Sequence, residues 1–265
     1  MTAAPAPIEI LSAAEIQAMR TVGGMAGETL VLVARTLRAG MTTEEIDAFV
    51  HKDTLRRSAT PAPLGYRGFP RSVCVSRNQV VCHGIPSGKE RLEPGDIVNV
   101  DVTTRHQGFH GDTSATFFIG EPTAEARHVV EVARRCLAIG IAEVRPGARL
   151  GDLGAAIQEH AEREGCSVVR EYGGHGIGRV FHGPPHVSHH GKRGSGIRLR
   201  EGMAITIEPM VNLGRPEVRL LDDGWTVVTA DGSLSAQFEH TVLVTATGAE
   251  ILTARREPLA NSEAP

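Results

Sequence analysis

Four carboxylates stand inside stretches of this chain that are otherwise apolar. Burying an unpaired carboxylate costs several kcal/mol, so each needs a partner. In Ile97-Val98-Asn99-Val100-Asp101-Val102-Thr103, strand alternation puts Asn99, Asp101 and Thr103 on one face. Asp112 lies just past a turn near His106-Gln107-Gly108. A two-residue loop of His106 and Gln107 would set Asp101 opposite Asp112 on the same face. A three-residue loop would separate their faces unless a bulge restored the register. Glu208 closes the β-branched run Ala204-Ile205-Thr206-Ile207-Glu208-Pro209, and Glu239 sits within Gln237-Phe238-Glu239-His240-Thr241-Val242. One such acid is explained by an arginine. The strands that hold these four contain no Lys or Arg, so a metal is the better partner for the set.

A fifth ligand comes from Tyr172-Gly173-Gly174-His175-Gly176-Ile177-Gly178, where flanking glycines let the histidine backbone approach other groups closely. His182 follows in the same segment and His83 stands in Val81-Cys82-His83-Gly84-Ile85-Pro86. His51, His128 and His160 read as ordinary helix histidines. His186, His189 and His190, in a Gly/Ser-rich loop, are expected to face solvent. Two Asp, two Glu and one His, with no thiolate, disfavour a structural zinc site and suit Mn, Fe, Co or a catalytic Zn. Four carboxylates are too many for one ion and balance two divalent ions, the pattern of a two-metal hydrolase.

The elements that position these groups are short strands between helix pairs. Apolar Ile16, Met19, Val22, Met25 and Leu30 predict a helix from Ser12 to Val33, with Ser12 and Glu15 as a capping box and Arg38-Ala39-Gly40 as its stop. A second helix is expected from Thr42 or Thr43, with Ile46, Phe49, Val50 and Leu55 on one face. The pattern returns at a constant offset of 107, from Leu30, Leu37, Gly40, Ile46 and Val50 to Leu137, Val144, Gly147, Leu153 and Ile157. That repeat predicts a duplicated α+β unit with a site at the seam. Strands are expected at Val73–Cys82, Ile97–Thr104, Phe109–Phe118, Ser167–Glu171, Ala204–Pro209, Trp225–Val228 and Gln237–Val244. None is followed by a Gly-x-Gly-x-x-Gly or Walker pattern, which argues against a nucleotide site.

Composition agrees with an ordinary globular protein. The 265 residues are 41% hydrophobic and 22% charged, with a net charge of -3. Disorder, collagen-like fibres and disulfide scaffolds are excluded. The four cysteines form no C-x-x-C pair and are expected as free thiols. No apolar run reaches the ~18 residues of a membrane span, and Glu9 and Glu15 interrupt any signal-like start. The protein is therefore expected to be cytoplasmic, with no membrane partner and no specific nucleic-acid site. Residues 1–11 and 255–265 read as loose tails around a single catalytic domain at 12–254.

Between Ile16 and Thr253 the chain resembles the bacterial type I methionine aminopeptidases. The resemblance rests on Val81-Cys82-His83-Gly84-Ile85-Pro86, Gly95-Asp96-Ile97-Val98-Asn99-Val100-Asp101, Gly108-Phe109-His110-Gly111-Asp112-Thr113-Ser114, Gly173-Gly174-His175-Gly176-Ile177-Gly178, Thr206-Ile207-Glu208-Pro209-Met210 and Ser235-Ala236-Gln237-Phe238-Glu239-His240-Thr241, in the family's order. It implies the pita-bread (creatinase/aminopeptidase-like) fold, pseudo-twofold α+β halves with a central antiparallel sheet covered by helices. It implies removal of the initiator methionine from nascent polypeptide N-termini when the second residue is small. It further implies that Asp101 chelates one metal, Asp112 and Glu239 bridge, and His175 and Glu208 hold the other, with Glu208 also handling the proton of the attacking water. His83 and His182 would contact the scissile amide. Tyr66, Phe69, Cys74, Phe181 and Trp225 would line the methionine pocket. The implied cofactors are two divalent ions (Co, Mn, Fe or Zn), and the implied setting is a monomer working near the ribosomal exit tunnel.

Two departures from the family pattern are visible. Pro63 stands where many members have cysteine, at the pocket rim, and Gly183-Pro184-Pro185 replaces a more acidic stretch and is expected to stiffen the mouth. The rival within the same fold is an Xaa-Pro dipeptidase or related aminopeptidase, which usually carries a further N-terminal domain. A rival of another class is a non-catalytic binding protein of this fold, which would be expected to have lost ligands.

Overall fold

In a computed structural model describing residues 7–262, the helices are α1 (Ala13–Thr36), α2 (Thr43–Arg56), α3 (Ala124–Ala142) and α4 (Leu150–Arg163). The strands in chain order are β1 (Thr60–Pro61), β2 (Cys74–Arg77), β3 (Val80–Cys82), β4 (Ile97–His106), β5 (Phe109–Phe118), β6 (Ser167–Val168), β7 (Gly174–Gly176), β8 (Gly183–Val187), β9 (Ala204–Ile207), β10 (Met210–Asn212), β11 (Val218–Leu220), β12 (Val227–Thr229), β13 (Ser235–Gln237), β14 (His240–Val244) and β15 (Ala249–Ile251). Every strand pairing is antiparallel. This is the α+β architecture of antiparallel sheets and covering helices that the resemblance implies.

The first helix pair starts where side-chain chemistry dictates. Ser12 and Glu15 form the capping box of α1, and Thr42 with Glu45 forms that of α2. On α2, Ile46 and Val50 turn inward and Phe49 is partly buried. Leu55, expected on the same face, is 50% exposed because it sits in the last turn, beyond the core. α1 lies across β4 and β5, while α3 lies against β13 and β10. Met19, Leu30, Ile46, Phe117, Leu153, Ile157 and Ile205 are fully buried between helices and sheets.

Two sheets carry the acids. One has β1, β4 and β2 in order with β5 also paired to β4, and the other runs β15-β14-β9-β7-β8. The β4–β5 hairpin turns on Gln107 and Gly108, both at positive φ (49° and 84°), as a two-residue primed turn requires. The expected loop of His106 and Gln107 is thus corrected by one residue. Asp101 pairs with Ser114 and Thr103 with Asp112, so the two aspartates are diagonal neighbours rather than directly opposed. A register shift of two keeps the side-chain face, and both still point the same way.

The ends also differ from expectation. Leu11 is buried and its amide donates to Gly202 at 2.8 Å. The stretch after Ala254, expected to be loose, is packed as far as Ser262. Leu259 and Ser262 are buried, and Arg255 donates to Thr113 and to the Ser114 carbonyl at 2.9 and 3.1 Å. Most of the expected Thr2–Pro7 tail and the last three residues lie outside the described range. Among the described residues no helix is long and apolar enough to cross a membrane.

Candidate metal centre and peptide cleft

The four acids converge from four strands or strand ends. Asp101 lies on β4 and Asp112 on β5, Glu208 immediately follows β9, and Glu239 immediately precedes β14. Ligand atoms of Asp101, Asp112 and Glu239 all lie within 4.8 Å of one another. His175, on β7, brings Nε2 to 3.8 Å from Asp112 Oδ2 and 3.7 Å from Glu208 Oε1. The glycines beside it are required by close approach: a Cβ on Gly174 would meet the Thr206 carbonyl oxygen at 2.2 Å, and one on Gly176 the Pro184 oxygen at 2.0 Å. His175 Nδ1 lies 3.1 Å from the Gly176 carbonyl, which fixes the proton on Nδ1 and leaves the Nε2 lone pair facing the acids.

Hydroxyls and amides hold the carboxylates from outside. Thr103 donates to Asp112 Oδ1 at 2.8 Å, Thr206 to Glu208 Oε1 at 2.7 Å and Gln237 to Glu208 Oε2 at 3.2 Å. Thr206 Oγ1 also accepts the His175 amide at 2.9 Å, joining β7 and β9 at the site. Asp101 Oδ1 and Glu239 Oε1 are buried with no hydrogen-bond partner among the described residues. Acceptors left bare in a cluster of like charge are what a cation would satisfy, and the hard oxygen and imidazole donors fit divalent metal.

Electrostatics gives the same account. Burial pushes Asp101 up to about 6 and Glu208 up to about 8. Burial first, then the charge of the neighbouring acids, raises Asp112 and Glu239 well above the usual carboxylate range. Such a cluster cannot hold four negative charges unaided. Burial lowers His175 to about 4, the neutral form that a metal ligand needs.

A cleft of about 250 Å³ opens onto these ligands. Tyr66, Phe69, Cys74, Phe181 and Trp225, with His83 and His182, line it beside the five proposed ligands. Phe69 meets Trp225 edge-on at 5.1 Å, and Tyr66 packs on Phe181 at 4.9 Å. The His182 ring centres 4.2 Å from that of His175 and 5.0 Å from that of Tyr66, on which it stacks. The cleft desolvates it, and with the nearby His175 and His83 this holds it down at about 3. His83, held at φ 57°, stands edge-on to Trp225 at 6.1 Å. Pro63 is also at this rim, as is Arg67, which the sequence reading did not single out.

Other groups were also missed. His189, expected in solvent, is fully buried, and its Nε2 accepts the Glu208 amide at 3.0 Å. The loop that carries it turns this ring inward to the end of β9, and its polar composition gave no sign of that. Thr206 and Gln237 each lie two residues from an acid, so strand alternation could have found them, as it placed Thr103 on the face of Asp101. His186 is exposed as expected, and His51 pairs with Ser72 at 2.8 Å.

The comparisons with known proteins agree with this geometry. The family model for metallopeptidase family M24 matches residues 17–246. Methionine aminopeptidase A of Synechocystis sp. is 53% identical over 246 residues, covering 93% of this chain and 97% of that protein. A methionine aminopeptidase of Salmonella typhimurium is 49% identical over 251 residues, covering 94% and 95% respectively. The crystal structure of methionine aminopeptidase from Rickettsia prowazekii superposes with a TM-score of 0.92 at 46% identity, covering 94% of this chain and 100% of that one. An acid cluster beside a metal-ready histidine, in a fold shared over nearly the whole length of these enzymes, makes the chain a member of metallopeptidase family M24.

Proposed function

We propose that this chain is a methionine aminopeptidase that removes the initiator methionine from polypeptides whose second residue is small. The observation that carries the reading is one cleft of about 250 Å³ lined at once by five ligand-type side chains, two further histidines and a group of aromatic side chains. Asp101 would hold one divalent ion, His175 and Glu208 would hold a second, and Asp112 and Glu239 would be shared between the two. When bound, such ions polarise a carbonyl and bring the pKa of a shared water towards neutral. Glu208, steadied by Thr206 and Gln237, takes the proton of the attacking water. His83 and His182 hydrogen-bond the scissile amide and steady its tetrahedral form. The methionine side chain fills the space among Tyr66, Phe69, Cys74, Phe181 and Trp225. Burial keeps the Cys74 thiol protonated, and sulfur–aromatic contacts of ~0.3–1.5 kcal/mol favour a thioether there. Newly made chains present this residue as they leave the ribosome, so the exit tunnel, the cytoplasm and a monomeric enzyme form the setting of the reading.

The test is hydrolysis of Met-Ala-Ser beside Ala-Pro peptides by metal-free protein with added Mn, Fe, Co or Zn. Methionine release only with metal is expected. Preference for Ala-Pro would move the assignment to the Xaa-Pro dipeptidases, and metal-independent cleavage would end the metal reading.

A further inference from the structure

Glu208 stands where regular pairing runs out. The ladder between β9 and β14 ends at the Ile207–His240 pair, and on the other side β7 reaches β9 only at Gly176–Ile205. The next residue is Pro209, which holds Glu208 extended and offers no amide of its own. The Glu208 N–H would therefore be a buried donor without a strand partner. His189 fills that place. Its ring is fully buried, its Nε2 accepts the Glu208 N–H at 3.0 Å, and its Nδ1 has no partner among the described residues. Thr206 and Gln237 already grip both carboxylate oxygens. The duplicated half lacks this device, since the residue 107 positions before His189 is Cys82.

We propose that His189 is a positioning residue for the reaction: through its unprotonated Nε2 it fixes the backbone of Glu208, and so the aim of that carboxylate at the metal and the attacking water. The proposal rests on the assignment of Glu208 to the metal centre. A histidine inserted beside a strand end is stiffer than a water or a loop carbonyl, and a small error of aim at a reacting centre is costly in rate.

The experiment compares His189→Leu, which removes the acceptor, with His189→Gln, whose Oε1 reaches the position of Nε2. It is read in the full chain by Co or Mn titration calorimetry, by kcat and KM on Met-Ala-Ser and by melting of the metal-free protein. Loss of a buried partner predicts a kcat about tenfold or more lower in His189→Leu, a KM within about twofold, and metal affinity about tenfold weaker. His189→Gln should restore both kcat and affinity to within about threefold of the parent, although it melts no higher than His189→Leu. Equal impairment of the two variants, or none in either, overturns the proposal. If His189→Leu does not fold, parent-like metal affinity and kcat in His189→Gln support the proposal and their loss overturns it. Nitrogen-15 spectra of the unmodified protein, in which His189 must show an unprotonated Nε2, decide the same point without a variant. Absence of any methionine release in the parent would defeat the functional reading, while the metal titrations would still judge His189.

Discussion

The two halves of this domain share a backbone and divide the chemistry. Gly40 and Gly147 follow their first helices at φ 83° and 85°. Their amides donate to Leu92 and Leu199 at 2.7 and 2.9 Å, and their carbonyls accept from Arg91 and Arg198 at 2.8 and 3.1 Å. All of these pairs keep the offset of 107, as do β4 with β9 and Asp101 with Glu208. Beyond those two acids the halves part. β4 continues into a hairpin of ten-residue strands that delivers Asp112, whereas β9 stops after four residues at Glu208-Pro209. Duplication supplied a symmetric frame with one acid per half, and unequal extensions made it a site.

The hardest blow to that contrast is Asp112→Asn, which keeps the hairpin but removes a carboxylate that only the first half provides. Loss of the shared anion leaves its partners' charge uncompensated, so we expect turnover and stoichiometric metal binding both to vanish. Elemental analysis with peptide hydrolysis measures this, and a metal-replete active variant would end the dinuclear assignment.

His182 offers a smaller, sharper cut. It stacks on Tyr66 and packs tilted against His175 but is not among the five proposed ligands. His182→Ala should retain its metal while kcat falls ~10²-fold, the scale of a lost acid–base or oxyanion partner. Metal content falling in step with activity would make it a ligand.

The pocket for the first residue predicts smaller ratios. Methionine can gain over leucine only ~1–3 kcal/mol per methylene-sized difference, so Trp225→Ala should erode that preference about tenfold. Discrimination at the second residue, assigned to His83 and His182, should hold. Met-Ala and Met-Phe peptides cleaved equally well by the parent would contradict a mouth narrowed by those histidines.

Much of this was legible because strand alternation and glycine chemistry are local signals. Asp101, Asp112, Glu208 and Glu239 stood out as acids in apolar strands, and His175 as a histidine between glycines. The duplication could be read in the Gly40 and Gly147 turns. The hairpin was misplaced by one residue, although Gly108 is the better second turn position. His189 was illegible for a deeper reason. Nothing in Val187-Ser188-His189-His190-Gly191 tells which histidine turns inward, since that depends on a strand end supplied from elsewhere in the chain. The packed stretch to Ser262 was missed likewise, because Arg255 and Leu259 find their partners on β5 and in the core rather than beside themselves.

The frame itself can be tested by matched substitutions in the two halves. Gly40→Ala and Gly147→Ala each place a Cβ in open space but at a left-handed φ, so strain alone should destabilise each by ~1–2 kcal/mol. Urea unfolding measures both. Costs that differ by more than about twofold would show that the turns are alike in geometry only.

The smallest effect separates the helix starts that follow those turns. Thr42 caps α2 with its own hydroxyl, which accepts the Glu45 amide at 3.2 Å while Glu45 accepts the Thr42 amide. In the second half Arg149 has no hydroxyl to offer, and only the return bond exists, from the Arg149 amide to Asp152 at 3.2 Å. Asp152 also takes the Gly194 amide at 2.6 Å, so the loop that leads to β9 hangs on the same carboxylate. Thr42→Ala should therefore cost ~1 kcal/mol, the usual worth of an N-cap, and Arg149→Ala only a few tenths. Asp152→Ala, which strips the cap and frees the loop together, should cost about as much as Thr42→Ala or more. An Arg149→Ala loss equal to that of Thr42→Ala would mean that the halves cap their helices alike, and that the asymmetry begins only at the strands.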